Sequence, residues 1–143
     1  NWLYNGAPET LVSYHVETRG IGGSGIADLQ QGFRAALPSD HLEFFAGLPR
    51  MVSVEPYVFV HAGIRPGRPL DEQDPEDLVW IREPFLHSDA DFGFIVVHGH
   101  TPAGRPEVRQ NRINIDTGAV FTGCLTCLVL EGTTRRFLQV QSE

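Results

Sequence analysis

The sequence predicts an α/β fold, with helices early and a series of short strands later. Three observations carry that expectation. Apolar residues recur at helical spacing over residues 26–37 (Ile26, Leu29, Phe33, Leu37). They do so again after Pro38, through Leu42, Phe44, Phe45 and Leu48. From Met51 onward the apolar runs are short and rich in β-branched residues, and each is bounded by turn residues.

Taken in order, residues 1–16 mix aromatic and turn residues, and a glycine-rich loop spans residues 20–25. The first helix is expected over residues 26–37 and ends at Pro38. Ser39 is the expected N-cap of a second helix. Met51–Val54 and Tyr57–Val60 read as two strands around Glu55-Pro56. A loop rich in Pro and Gly follows over residues 64–75. Residues 76–81 suit a short helix that starts at Asp74 or Pro75. Residues 94–97 read as a buried strand, and strands over 113–116, 125–130 and 135–140 complete a β-rich second half. Glu131-Gly132-Thr133 supplies the last hairpin turn.

With 143 residues, the chain is expected to form a single domain over 1–143. Its 41% hydrophobic and 20% charged residues place it among ordinary globular chains rather than disordered ones. A net charge of −7 argues against capture of nucleic acid or an anionic membrane. All 11 basic residues are Arg, which compositional bias explains. No apolar run is long enough to span a bilayer and no leader pattern opens the chain, so a cytoplasmic location is expected. The chain opens on Asn1-Trp2-Leu3, which reads as the inside of a folded element and suggests trimming or cleavage. Cys124 and Cys127 lie in a strand-like run, where odd spacing sends them to opposite faces. Buried structural thiols are expected there, not a redox or zinc pair.

Gly20-x-Gly22-x-x-Gly25 matches the dinucleotide-binding pattern letter for letter. That motif needs a strand before it and an acidic residue ending a second strand about 20 residues later. The acidic candidates, Asp40 and Glu43, fall inside an expected helix, so a connecting loop is the better reading.

Chemistry concentrates in Tyr57-Val58-Phe59-Val60-His61-Ala62-Gly63 and Ile95-Val96-Val97-His98-Gly99-His100-Thr101-Pro102. Each is an apolar strand that ends on histidine and breaks into a turn. A strand fixes a ligand while the following loop leaves room for substrate. Imidazole suits zinc, manganese and iron, and a zinc site of His61, His98 and His100 is one arrangement the residues allow.

Val60-His61-Ala62-Gly63, Leu78-Val79-Trp80-Ile81-Arg82, Gly99-His100-Thr101-Pro102 and Ile115-Asp116-Thr117-Gly118-Ala119-Val120-Phe121 follow one another in order. This series resembles the C-terminal motifs of the calcineurin-like metallophosphoesterases, in particular bacterial and phage Ser/Thr protein phosphatases. Trp2-Leu3-Tyr4-Asn5-Gly6 resembles a segment just downstream of that family's Asn-His-Glu motif. The resemblance implies the C-terminal part of a layered α-β-β-α sandwich, an incomplete domain whose N-terminal half is missing. It makes His61 and His100 ligands of the second of two divalent metals, manganese first, with iron or zinc as alternatives. Arg82 would bind substrate phosphate. His98 would support the ligands, Asp116 would support them or shape the turn, and Arg65 would be a solvated loop residue rather than a second phosphate clamp.

The family's Asp-x-His, Gly-Asp-x-x-Asp-Arg and Gly-Asn-His-Glu motifs do not occur in this sequence. With them go the first metal site, the bridging carboxylate and the general acid. The implied parent is a two-metal phosphoprotein phosphatase acting on a phosphoprotein or small phosphoester, and the chain alone is expected to be inactive. The core surface left by the missing half would be covered by that half or by dimerisation. Two alternatives stand beside this: a diadenosine-tetraphosphate hydrolase, which shares the His-Ala-Gly-Ile type of segment, and a non-catalytic binding domain or fragment.

Overall fold

The computed structural model describes residues 2–17, 25–132 and 134–142. It falls into two compact units, Asn1–Leu48 and Pro49–Glu143. The glycine-rich segment over residues 20–24 lies outside the described residues.

In the first unit, α1 (Ala7–Ser13) begins after Gly6, whose left-handed φ of 84° turns the chain into the helix. Pro8 suits this first turn, where an amide donor would have no intrahelical partner. The sequence reading did not anticipate α1. Helix α2 (Ile26–Ala36) follows the expected periodicity and buries Leu29. It stops because the residue before a proline favours extended backbone, and Leu37 adopts φ −73°, ψ 118°. In α3 (Ser39–Gly47) the expected Ser39 cap is corrected. Pro38 occupies the cap position at φ −61°, ψ 146°, and Ser39 is already the first helical residue. Tyr14 packs edge-on against Phe33, and its hydroxyl meets His41 Nδ1 at 2.8 Å.

The second unit is built on a five-stranded mixed sheet. Strand β1 (Met51–Val54) forms a hairpin with β2 (Tyr57–Val60), as expected, and the Glu55-Pro56 peptide at its turn is cis. Strand β3 (Ile95–His98) runs parallel to β2, and β5 (Arg112–Asn114) runs parallel to β3. A two-residue strand not expected from the sequence, β4 (Glu107–Val108), closes the far edge antiparallel to β5. The sheet order is β1-β2-β3-β5-β4. Helix α4 (Pro75–Trp80) starts where Asp74 accepts a hydrogen bond from the Glu76 amide, as the Asp-Pro pair predicts. A short helix α5 (Ala119–Thr122) lies between left-handed Gly118 and Gly123. Strands β6 (Cys124–Glu131) and β7 (Thr134–Gln141) pair as a separate hairpin.

Alternation along the strands divides the core in two. Val60 and Val96 join Ala62, Ile64, Leu78, Ile81 and Phe85 on the α4 side. Val97, Tyr57 and Ile113 meet Leu128, Leu130 and Phe137 of the hairpin. Each fully buried side chain of this kind contributes about 1.5–3 kcal/mol. Arg135 ties the hairpin to the sheet, with its guanidinium over the Tyr57 ring and Nε donating to the Tyr57 hydroxyl at 3.1 Å. The cysteine expectation is corrected in part. Both thiols are free, but Cys124 is only partly buried and Cys127 is exposed, because the hairpin covers the sheet with one face only. Among the described residues no helix is long and apolar enough to cross a membrane.

Candidate metal and phosphate site

Strands β2, β3 and β5 are parallel, so their carboxyl ends share one edge of the sheet. In such sheets the loops beyond that edge form the usual place for ligands. His61 follows β2 directly, Gly99 and His100 follow β3, and Asp116 lies two residues past β5. The Gly99 amide donates to the His61 carbonyl at 2.8 Å and the Ile115 amide to the His98 carbonyl at 2.9 Å. Ladder bonding therefore continues past the strand ends and holds the three loops together.

His61 Nε2 and His100 Nδ1 stand 3.2 Å apart, with the rings edge to face at 5.1 Å between centroids. Trp80, at the end of α4, packs edge-on against His100 at 5.4 Å. The Ala62 amide donates to the Leu78 carbonyl at 2.9 Å, which links α4 to the His61 loop. Burial, the nearby His61 and the nearby Arg82 lower the His100 pKa, while Asp116 opposes them. The ring is thereby kept neutral, the form that binds metals. His100 Nε2 is buried without a hydrogen-bond partner among the described residues.

Two imidazole nitrogens bound at about 2.0–2.1 Å to one tetrahedral ion stand roughly 3.3 Å apart. The observed 3.2 Å fits that separation. In this pair an N–H of one ring donates to the nitrogen of the other. Two ligands are only part of a cage. Among the described residues no group of three or more His, Cys, Asp or Glu side chains gathers around a point that could hold a metal.

The other predicted residues are distributed as follows. Arg82 is exposed just beyond α4, close enough to act on His100, and its carbonyl accepts from the Leu86 amide at 2.9 Å. Asp116 is beside Gly99, and its Oδ1 accepts the Gly118 amide at 2.9 Å. His98 is 2% exposed and both its ring nitrogens are engaged, Nδ1 with the Gly99 carbonyl and Nε2 with Arg112. A zinc site of three histidines is thus corrected, because His98 has no nitrogen left to share with His61 and His100. Arg65 is not a free solvated arginine. Its guanidinium makes two bonds to Asp77, at 2.6 and 2.7 Å, which anchor the loop to α4. The sequence reading passed over Arg112, although a charged residue opening an otherwise buried strand was a visible signal.

The class to which this fold is similar comes from a solved structure. A "putative diadenosine tetraphosphatase" aligns with a TM-score of 0.64, over 78% of this chain and 61% of its own, at 19% identity. That likeness shows the fold, a partial α/β layered sandwich. Particular relatives follow from a short stretch of sequence. It is 54% identical over 33 residues to the asymmetrical bis(5'-nucleosyl)-tetraphosphatase PrpE of Halalkalibacterium halodurans. The proteins of the same name from Anoxybacillus flavithermus and a Geobacillus species match at 53% over 34 residues and 55% over 31. The first of these matches takes in 23% of this chain and 13% of the relative's length. No family model matches the chain.

Proposed function

We propose that this chain is the C-terminal portion of a metal-dependent phosphoester hydrolase of the calcineurin-like type, with dinucleoside tetraphosphates as the favoured substrate class. The observation that carries the reading is the 3.2 Å approach of His61 and His100 at the shared edge of three parallel strands. The fold neighbour and the short matched segment belong to proteins named as tetraphosphatases. They favour the dinucleoside alternative over the protein phosphatase expected from the motif series.

In this reading His61 and His100 hold one divalent ion. Manganese, iron and zinc all accept imidazole, and the chemistry supplied on binding is acidification of water and neutralisation of phosphate charge. Arg82 reaches the same opening and clamps phosphate oxygens through its planar fork of donors. Trp80 covers one side of His100 and limits water there. The bridging carboxylate, the first metal's ligands and the general acid belong to motifs absent from this sequence. Completion of the site requires another segment that carries them.

The test compares the 143-residue chain with the same chain extended by its upstream coding sequence. Each is assayed with manganese on diadenosine tetraphosphate, a phosphoserine peptide and p-nitrophenyl phosphate. The extended protein is expected to cleave the dinucleotide faster than the phosphopeptide. A preference for the phosphopeptide would return the assignment to the protein phosphatases, and no hydrolysis of any substrate would end the phosphoesterase reading.

A further inference from the structure

His100 has a left-handed φ of 66°, unusual for a residue with a side chain. The Thr101 amide donates to the Gly99 carbonyl at 2.8 Å, so His100 is the central residue of a three-residue turn. At positive φ this is the rare and strained hand of that turn. Something must hold it. Gly99 is fastened through both of its backbone groups: its amide donates to the His61 carbonyl, and its carbonyl also meets His98 Nδ1 at 3.1 Å.

Which nitrogen of His98 carries the proton follows from its other neighbour. Arg112 Nη1 lies 3.1 Å from His98 Nε2, and a guanidinium can only donate. Nε2 must then present its lone pair, and the proton is on Nδ1, directed at the Gly99 carbonyl. Arg112 is itself held, with Nη2 donating to the Leu86 carbonyl at 3.2 Å and to Glu107 at 3.0 Å. The Arg112 side chain is 2% exposed and its Nε has no partner among the described residues. Burying an incompletely bonded guanidinium is unfavourable, and an apolar side chain would fill this core at less cost.

We propose that Arg112 is a positioning residue: through the tautomer it imposes on His98, it fastens the Gly99 peptide and so sets the strained turn that presents His100 to His61. The metal role of those two histidines rests on the reading above, whereas the turn does not. Partners behind metal-binding imidazoles commonly change metal affinity 10- to 100-fold when removed.

The experiment uses the isotope-labelled 143-residue chain with no metal added, followed by titration with zinc. Nitrogen NMR of His98 should show the proton on Nδ1. In Arg112→Met the Thr101 amide, which closes the turn on the Gly99 carbonyl, should exchange with solvent at least tenfold faster relative to core amides such as that of Ile113, and zinc affinity should fall at least tenfold. Arg112→Lys, which can still donate to His98, should recover most of both. If Arg112→Met does not fold, His98→Asn and His98→Leu take its place. Asn can donate to the Gly99 carbonyl without Arg112 and should keep the Thr101 amide protected, and Leu should not. A proton on Nε2 in the wild type, or unchanged Thr101 exchange in Arg112→Met, would overturn the proposal. So would equal Thr101 exchange in the two His98 variants. Should the wild type take up no zinc, the metal reading fails and the exchange data alone decide the role of Arg112.

Discussion

His61 Nε2 lies 3.2 Å from His100 Nδ1 although 39 positions separate the two residues in the chain. The approach depends on β2 and β3 being parallel neighbours in register, with Phe59 opposite Val97, so that both strands deliver their next residues to one edge. A metal at this pair should be sensitive to either ring. His61→Ala or His100→Ala is expected to abolish zinc binding by the chain while leaving its circular dichroism unchanged. Retained affinity in either variant would place the metal elsewhere.

The same geometry limits what the chain does alone. Two imidazoles leave an ion without a bridging carboxylate, and no general acid is present in the motif set. Such contributions are worth several kcal/mol each to a transition state, and every 1.36 kcal/mol is about tenfold in rate. The 143-residue chain with manganese is therefore expected to leave p-nitrophenyl phosphate uncleaved above background. Robust turnover, with a co-purified second chain excluded by mass spectrometry, would refute the proposed division of the site.

The proposed phosphate-binding role of Arg82 separates substrate binding from metal binding. In the extended enzyme, Arg82→Ala should lower kcat/KM roughly ten- to a hundredfold by removing a charge-assisted contact to phosphate. Metal content measured by elemental analysis should stay the same. An unaltered rate would make Arg82 an ordinary surface residue.

His98 predicts how stability depends on pH. Burial first, and then the Arg112 charge, push its pKa from 6.5 down to about 4, against the opposing pull of the Gly99 carbonyl. Between these values the unfolded chain binds a proton that the native chain does not. Stability is therefore full above pH 6.5 and declines as pH falls toward 4, by an amount on the order of 3 kcal/mol. Urea unfolding of wild type and His98→Asn across this window should show a steeper loss in the wild type. Parallel pH profiles would assign the acid sensitivity to other groups.

Gly63 tests the packing beneath the site. A Cβ there would overlap the ring of Phe85, which is fully buried. Gly63→Ala should cost about 1–3 kcal/mol by overpacking, and more through strain at the positive φ of 157°. A double variant with Phe85→Leu should recover the overpacking part, and absence of any recovery would assign the cost to backbone strain at Gly63.

The residue pattern alone determined the α/β class, α2, the main strands and the two histidine-terminated segments. These follow from spacing along the chain, because a helix or strand displays its apolar face at a fixed period. It also singled out His61, His100 and Arg82. Helix α1 and strand β4 escaped, the first announced only by Gly6 and Pro8 and the second only two residues long. Tertiary structure decided the rest. Only the order β1-β2-β3-β5-β4 sets His61 beside His100 and His98 against Arg112, and only the packing of α4 against the loop after β2 binds Arg65 to Asp77. Each of these contacts joins residues distant in sequence or on different elements, and one-dimensional periodicity has no term for which strands become neighbours.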